Sequence, residues 1–152
     1  MKIEVKTGDI LNERSDVLIC SANVYLNQSG GVGGEILRRY GNTMQQALRE
    51  QLRSAGRQFV NQGDLIETPG FDTGFKYVLH AVAVNVWYET SAEIVQRLLV
   101  NAFARASALN STKVTTAALG TGYGRRWQSG NSVGGSRVPS AVPFRPSSRF
   151  AS

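Results

Sequence analysis

The chain has 152 residues, a formal net charge of +6, one cysteine and one histidine. That length supplies one domain with a real core and too little for two ordinary ones. A lone Cys20 excludes an internal disulfide framework, and one Cys with one His speaks against a Cys/His metal cluster. No apolar run reaches the ~18 residues of a membrane span. The opening "MKIEVKTGD" has the pattern of a strand and not of a signal peptide. A cytoplasmic protein without a membrane partner is expected.

In chain order, "KIEVKTGDI" alternates Ile3 and Val5 with charged neighbours and is predicted to be a half-buried strand. "DVLICSA" is a short continuous apolar run, as in a strand buried on both faces. Residues 32–40 read as a short helix with Ile36, Leu37 and Tyr40 on one side. A second helix is predicted from an Asn42 cap to about Ser54, with Met44, Leu48 and Leu52 at helical spacing. "GDLIET" is a strand closed by Pro69-Gly70. "KYVLHAVAV" is the strongest strand of the chain. Residues 91–109 form the longest predicted helix, striped by Leu98, Leu99, Ala102, Phe103 and Ala106. "KVTTAAL" is a further strand and runs into "GTGYG". Alternating strands and helices predict an α/β fold with a mostly parallel sheet covered on both faces.

After Gly124 the pattern stops. Residues 125–152 hold three of the four prolines, no acid, and Arg125, Arg126, Arg137, Arg145 and Arg149. Residues 1–124 hold twelve Lys/Arg against eleven Asp/Glu, so the basicity belongs to the tail. The expected division is a core over 1–124 and an Arg/Ser/Gly/Pro-rich tail over 125–152. Such a tail binds polyanions weakly through counterion release, with no sequence preference.

Two strands end in glycine. One leads into Gly30, Gly31, Gly33 and Gly34, the other into Gly120, Gly122 and Gly124. Glycine lets backbone N–H groups approach a ligand closely, and a following helix N-terminus adds partial positive charge. Two such loops at one sheet edge suit a diphosphate; the plainer alternative is that the glycines only permit turns. Neither loop fits G-x-G-x-x-G in its full context, and G-K-[ST] is absent, so the Rossmann and P-loop readings fail.

Asn23 suits a ribose hydroxyl, although local sequence favours an ordinary turn Asn. Asp9 suits the exocyclic amine of a base or the cap of a turn. Cys20 and His80 have the chemistry of a nucleophile pair, but both lie in apolar strands and core packing is favoured. Trp87 and Tyr88 are suited to stacking on a base or to covering the end of the sheet.

"GDI", then "SAN-x-x-L-x-x-x-GGV-x-G-x-I", then "GTGYG" together resemble a macrodomain, and "ANVYLNQSGGVGG" is especially similar to coronavirus macrodomains. The resemblance covers residues 1 to about 124. It implies a three-layer α/β/α sandwich with a mixed, mostly parallel sheet and an ADP-ribose site. Asp9 would take the adenine amine with Ile10 beside it. Gly30, Gly31, Val32, Gly33 and Gly34 would hold one side of the diphosphate, and Gly120, Thr121, Gly122, Tyr123 and Gly124 the other. Ala22 and Asn23 would line the site, Asn23 at the distal ribose with Tyr123 packed over it. The implied partner is ADP-ribose or an ADP-ribosylated macromolecule, with no cofactor and no metal.

The departures from the family bear on activity. Many hydrolytic macrodomains carry an aspartate where Gly33 stands, so no carboxylate is available there to orient a water. Glu35 is expected to turn elsewhere, and Ser29 replaces the first glycine of the triplet. Coronavirus macrodomains lack that aspartate too, yet the family ascribes to them mono-ADP-ribosyl hydrolysis. Asn23 is thus the one catalytic nominee, for a weak ADP-ribosyl hydrolase or O-acetyl-ADP-ribose deacetylase, and binding without catalysis ranks first. The family's last helix and last strand have no counterpart in the tail pattern, as after a frameshift or a divergent ending. An unpaired sheet edge is then expected, with a dimer or strand exchange as compensation. The alternative function is a nucleic-acid or poly-ADP-ribose binder acting through the arginine tail.

Overall fold

Strand β1 (Val17–Ala22) runs through the main sheet, and its first four residues are all buried. The structure, a computed structural model, describes residues 2–120 and the backbone of residues 126–127. The sheet also contains β2 (Leu65–Pro69), β3 (Tyr77–Val82) and β5 (Val114–Thr116), in the order β2-β3-β1-β5. β1 pairs in parallel with β3, from Val17 opposite Tyr77 to Ala22 opposite Val82. It pairs in parallel with β5, from Val17 opposite Val114 to Ile19 opposite Thr116. β2 runs antiparallel to β3, so the sheet is mixed and mostly parallel. Pro69 is accommodated because β2 lies at the sheet edge, where a missing donor breaks no second ladder.

The two-residue period of β1 sorts its side chains between two helical layers. Val17 and Ile19 pack with Leu79 and Ala81 against Leu98, Ala102 and Ala106 of α3 (Ala92–Ala108). Those three residues fall at i, i+4 and i+8, and Leu99 and Phe103 pack against the same cluster. Leu18 and Cys20 face the other way, onto Ile36 of α1 (Gly31–Tyr40) and Met44 of α2 (Thr43–Ser54). Leu48 of α2 continues that layer with Val24, Leu26, Val60 and Val82. The result is α1 and α2, then the sheet, then α3: an α/β/α sandwich. A second, two-stranded sheet pairs β4 (Glu89–Thr90) in parallel with β6 (Arg126–Trp127). Among the described residues no helix is long and apolar enough to cross a membrane.

Two local expectations change. Residues 2–7 form no strand, and Ile3 and Val5 are 59% and 82% exposed. A strand needs a neighbour for its backbone groups, and among the described residues none pairs with this segment. Asn42 stands at the N-terminus of α2, but its side chain makes no capping bond. Ser91 does cap α3, its side chain accepting from the Ile94 N–H at 3.3 Å.

Candidate functional site

Because β1 and β5 are parallel neighbours, their carboxyl ends finish at the same edge of the sheet, where open α/β sheets bind ligands. The Ala117 N–H donates to Ile19 O at 3.1 Å, so the chain leaving β5 continues beside β1. It reaches the buried Leu119 and then Gly120 at φ +72°, where an added Cβ would lie 2.9 Å from Thr90 Cγ2. Both the backbone angle and the contact require glycine there. Thr121, Gly122, Tyr123 and Gly124 lie outside the described residues, as does nearly all of the arginine tail.

At the end of β1, Ala22 is half-buried and Asn23 turns back into its own loop. Its Oδ1 accepts from the Tyr25 N–H at 3.1 Å and the Asn27 N–H at 3.2 Å, and its Nδ2 donates to Asn27 O at 3.0 Å. Both acceptor lone pairs are thereby used, and among the described residues one amide N–H is left over. Asn23 shapes a turn, as its local sequence suggests, and keeps one donor for a partner.

The loop that follows is held from below. Gln45 of α2 is buried, accepts the Gln28 N–H at 2.7 Å and donates to Leu26 O at 2.9 Å. Leu26 sits at φ +54°, a region costly for a residue with a Cβ. The two Gln45 bonds and the burial of the leucine side chain hold it there. Sequence reasoning missed Gln45. Its only signal was a polar residue placed next to Met44 at the edge of an apolar helix stripe.

Helix α1 opens without a side-chain cap or an acidic residue in its first turn. Gly30 is extended, and Gly31 takes φ +57°, where glycine alone is unstrained. The Gly34 N–H closes the first helical bond to Gly30 O at 3.0 Å. The preceding N–H groups, of Gly31, Val32 and Gly33, have no intrahelical acceptor. They carry the positive end of the helix dipole. A Cβ on Gly33 would make ordinary contact with Gln28 Cγ at 3.5 Å, so sterics alone do not demand glycine there.

Asp9 precedes a short 3₁₀ turn (Ile10–Asn12) and caps it, its Oδ1 accepting from the Leu11 N–H at 3.0 Å. Ile10, like Val32 and Tyr40 of α1, packs against the core cluster of Leu11, Leu18 and Ile36, and the turn lies against the helix. Asp9 Oδ2 accepts from Arg39 Nη2 at 2.5 Å. The hydrogen bond from Arg39 holds the Asp9 carboxyl below the usual carboxylate range, and Arg39 is raised in return. Glu35 turns to Arg38 and Arg39, accepting from Arg38 Nη2 at 2.9 Å and Arg39 Nε at 3.2 Å.

Cys20 and His80 are opposite each other across β1 and β3, with Sγ 3.7 Å from Nδ1. His80 Nε2 lies 3.0 Å from Thr68 Oγ1. Burial pushes the thiol up to about 12 and the imidazole down to about 4. Both groups are neutral and sealed, so they form part of the core and supply neither thiolate nor accessible base. Trp87 stands on a turn braced by Asn85, whose Oδ1 accepts from the Trp87 and Glu89 N–H groups at 2.9 and 3.0 Å. It is 76% exposed and does not cover the end of the sheet. Among the described residues no three His, Cys, Asp or Glu side chains gather as metal ligands.

A family model described as Macro domain matches residues 19–129. An uncharacterized protein of Thermotoga maritima is 33% identical over 124 residues, covering 80% of this chain and 20% of its own length. An uncharacterized protein of Pyrobaculum aerophilum is 31% identical over 122 residues, covering 80% of this chain and 65% of its own. The chain thus spans less than two thirds of either relative. The solved macrodomain of Mycobacterium tuberculosis DarG superposes with a TM-score of 0.66 at 22% identity, over 79% of this chain and 78% of that one. A mutant Oceanobacillus iheyensis macrodomain with ADPR gives 0.69 at 24%, over 78% and 65%. With the family model matching well over half of its residues and its sheet laid between helices in the same arrangement as these neighbours, the chain belongs to the macro domain family.

Proposed function

We propose that this macrodomain binds ADP-ribose or terminal ADP-ribosyl groups at the carboxyl ends of β1 and β5. The observation that carries the reading is the uncapped start of α1. Three N–H groups without intrahelical acceptors follow Gly30, no acid stands in the first turn, and Gly120 follows the neighbouring strand. Diphosphate oxygens match both the donors and the dipole. Asp9 and Ile10 stand in the turn packed against α1, where Asp9 accepts from Arg39, and they suit the base of an extended nucleotide. Asn23 has one N–H to give a distal ribose hydroxyl. The Oceanobacillus neighbour with ADPR supports the ligand by analogy.

Binding is favoured over hydrolysis because position 33 is glycine and Glu35 is engaged by two arginines. Any turnover would rest on a water held by Asn23 and the substrate itself. A thermal-shift titration with ADP-ribose, against AMP and ATP, tests the reading. Ligand at ~100 times its dissociation constant stabilises the fold by ~2.7 kcal/mol, a readable shift. The same protein should release no ADP-ribose from a mono-ADP-ribosylated substrate. A cooperative melt unmoved by ADP-ribose contradicts binding, and multiple turnover contradicts the binding-only form.

A further inference from the structure

We propose that the turn carrying Trp87 is a docking surface for the polypeptide to which an ADP-ribosyl group is attached, so that the partner of the site is a modified protein. This rests on the ADP-ribosyl reading above and adds to it the class of carrier.

Val86, Trp87 and Tyr88 are consecutive and 46%, 76% and 43% exposed. A run of large apolar and aromatic side chains facing water marks an interaction surface. The turn that shows them is held still. The Asn85 N–H donates to Glu89 O at 3.1 Å, and the Tyr88 N–H donates to Asn85 O at 3.0 Å. Asn85 Nδ2 donates to Glu89 Oε2 at 3.2 Å, besides the two bonds that its Oδ1 accepts. Gln62 ties both ends of the segment, its Nε2 donating to Ala83 O at 3.0 Å and to Glu89 O at 2.8 Å. Within this frame Tyr88 is kept at φ +59°, where a residue with a Cβ is strained. A patch fixed in advance loses little freedom when a partner covers it.

The turn is continuous with the proposed ligand site. β1 and β3 are parallel neighbours with Ala22 opposite Val82, so the chain after β3 leaves from the same sheet edge as the loop after β1. Thr90 stands three residues after Trp87, a reach of at most about 11 Å. Its Cγ2 is the atom that an added Cβ on Gly120 would meet at 2.9 Å. Glu89 and Thr90 pair in turn with Arg126 and Trp127. The segment between Gly120 and Arg126 therefore leaves and rejoins the described fold at β4, directly after the Trp87 turn. A group attached to a ligand held by Gly120 emerges beside this patch.

Charge selects the class of carrier. Residues 77–96, which include the turn, contain no Lys or Arg, and their acids are Glu89 and Glu93. Arg126, in register with the turn's end, stands opposite the acid Glu89. Single-stranded nucleic acids stack on aromatic side chains that line a cationic groove, and this segment supplies no cation. Trp and Tyr without charge are what the strongest contacts of protein–protein interfaces use.

The test compares dissociation constants by calorimetry on the full chain. The ligands are free ADP-ribose, a mono-ADP-ribosylated serine peptide with leucines flanking the serine, the same peptide with glycines instead, and a mono-ADP-ribosylated single-stranded oligonucleotide. The wild type should bind the leucine peptide about tenfold more tightly than free ADP-ribose, and the other two no more tightly than free ADP-ribose. Trp87→Ala should remove that advantage, the size expected when an interface tryptophan is truncated, and leave free ADP-ribose within about twofold. Trp87→Phe should keep most of it. Thermal midpoints should stay within a few degrees of wild type, because Trp87 belongs to no core cluster.

A leucine peptide bound no more tightly than free ADP-ribose or the glycine peptide overturns the docking role and leaves the ADP-ribosyl reading intact. So does a Trp87→Ala variant that keeps the advantage or weakens every ligand alike. An oligonucleotide preferred over the leucine peptide overturns it in favour of nucleic acid. A wild type that sediments as a dimer beside a monomeric Trp87→Ala overturns it in favour of a second copy of the chain. A wild type that binds none of the ligands overturns the underlying reading together with it.

Discussion

Gln45 and Gln28 are each 5% exposed; Gln28 lies in the loop that joins β1 to α1, and Gln45 of α2 packs beneath it. Gln45 uses both ends of its carboxamide, accepting the Gln28 N–H and donating to Leu26 O. Gln28 uses neither end: its Oε1 and Nε2 are buried and have no partner among the described residues. The same side chain, equally buried, stabilises at one position and costs at the other, because what counts is whether each desolvated group is paired. The comparison also shows where the loop gets its shape. Its strained Leu26 and the approach to Gly30 are imposed by a residue of α2, which leaves the α1 amides fixed in direction before any ligand arrives.

The sharpest way to break that comparison is Gln45→Leu. It would leave the Leu26 carbonyl and the Gln28 N–H buried and unpaired, and the expected loss is about 2–5 kcal/mol in a urea melt. A loss well under 1 kcal/mol would mean the loop holds its shape without Gln45.

His80 is a third buried polar group, with partners but without charge. Above pH 6.5 neither the folded nor the unfolded imidazole is protonated. As pH falls, the unfolded chain takes the proton first, while the folded imidazole resists until about 4. Stability should therefore drop as pH falls from 6.5 to 4, by on the order of 3 kcal/mol. Melts at pH 7 and pH 4.5 should show the drop in wild type and a smaller one in His80→Gln. Equal drops would place the pH sensitivity elsewhere.

The smallest expected effect has the opposite sign. Gln28→Leu keeps the backbone N–H to Gln45 and removes the unpaired carboxamide, and should raise stability by about 1–2 kcal/mol. A destabilised variant would show that the Gln28 side chain has a partner of its own.

The strands and helices were legible because each carries its own period. "DVLICSA" and "KYVLHAVAV" are apolar on both faces and lie in the sheet, and the 98–102–106 stripe covers it. The glycine positions were legible for a similar local reason: Gly31 and Gly120 stand at positive φ, where other residues are strained. What was not legible depends on distant partners. Ile3 and Val5 have the pattern of a strand, but a pattern only states what a segment does once a neighbour pairs with it. Gln45 and Arg39 act across the fold, on residues 17 and 30 positions away, and beyond the place of Gln45 at the edge of an apolar stripe nothing in their own surroundings marks them. Asn23 was half legible. Its turn bonds follow from local chemistry, whereas its remaining N–H is visible only once those bonds are counted.

The central claim is that the ligand is held by backbone amides at the carboxyl ends of β1 and β5. The most direct measurement is an amide ¹H–¹⁵N correlation spectrum recorded through an ADP-ribose titration. The expected result is that the largest shifts fall on Gly31, Val32, Gly33, Gly34 and Gly120, with smaller ones at Ile10 and Leu11. Saturating ADP-ribose that leaves those amides unmoved, or moves a different part of the surface, would contradict it.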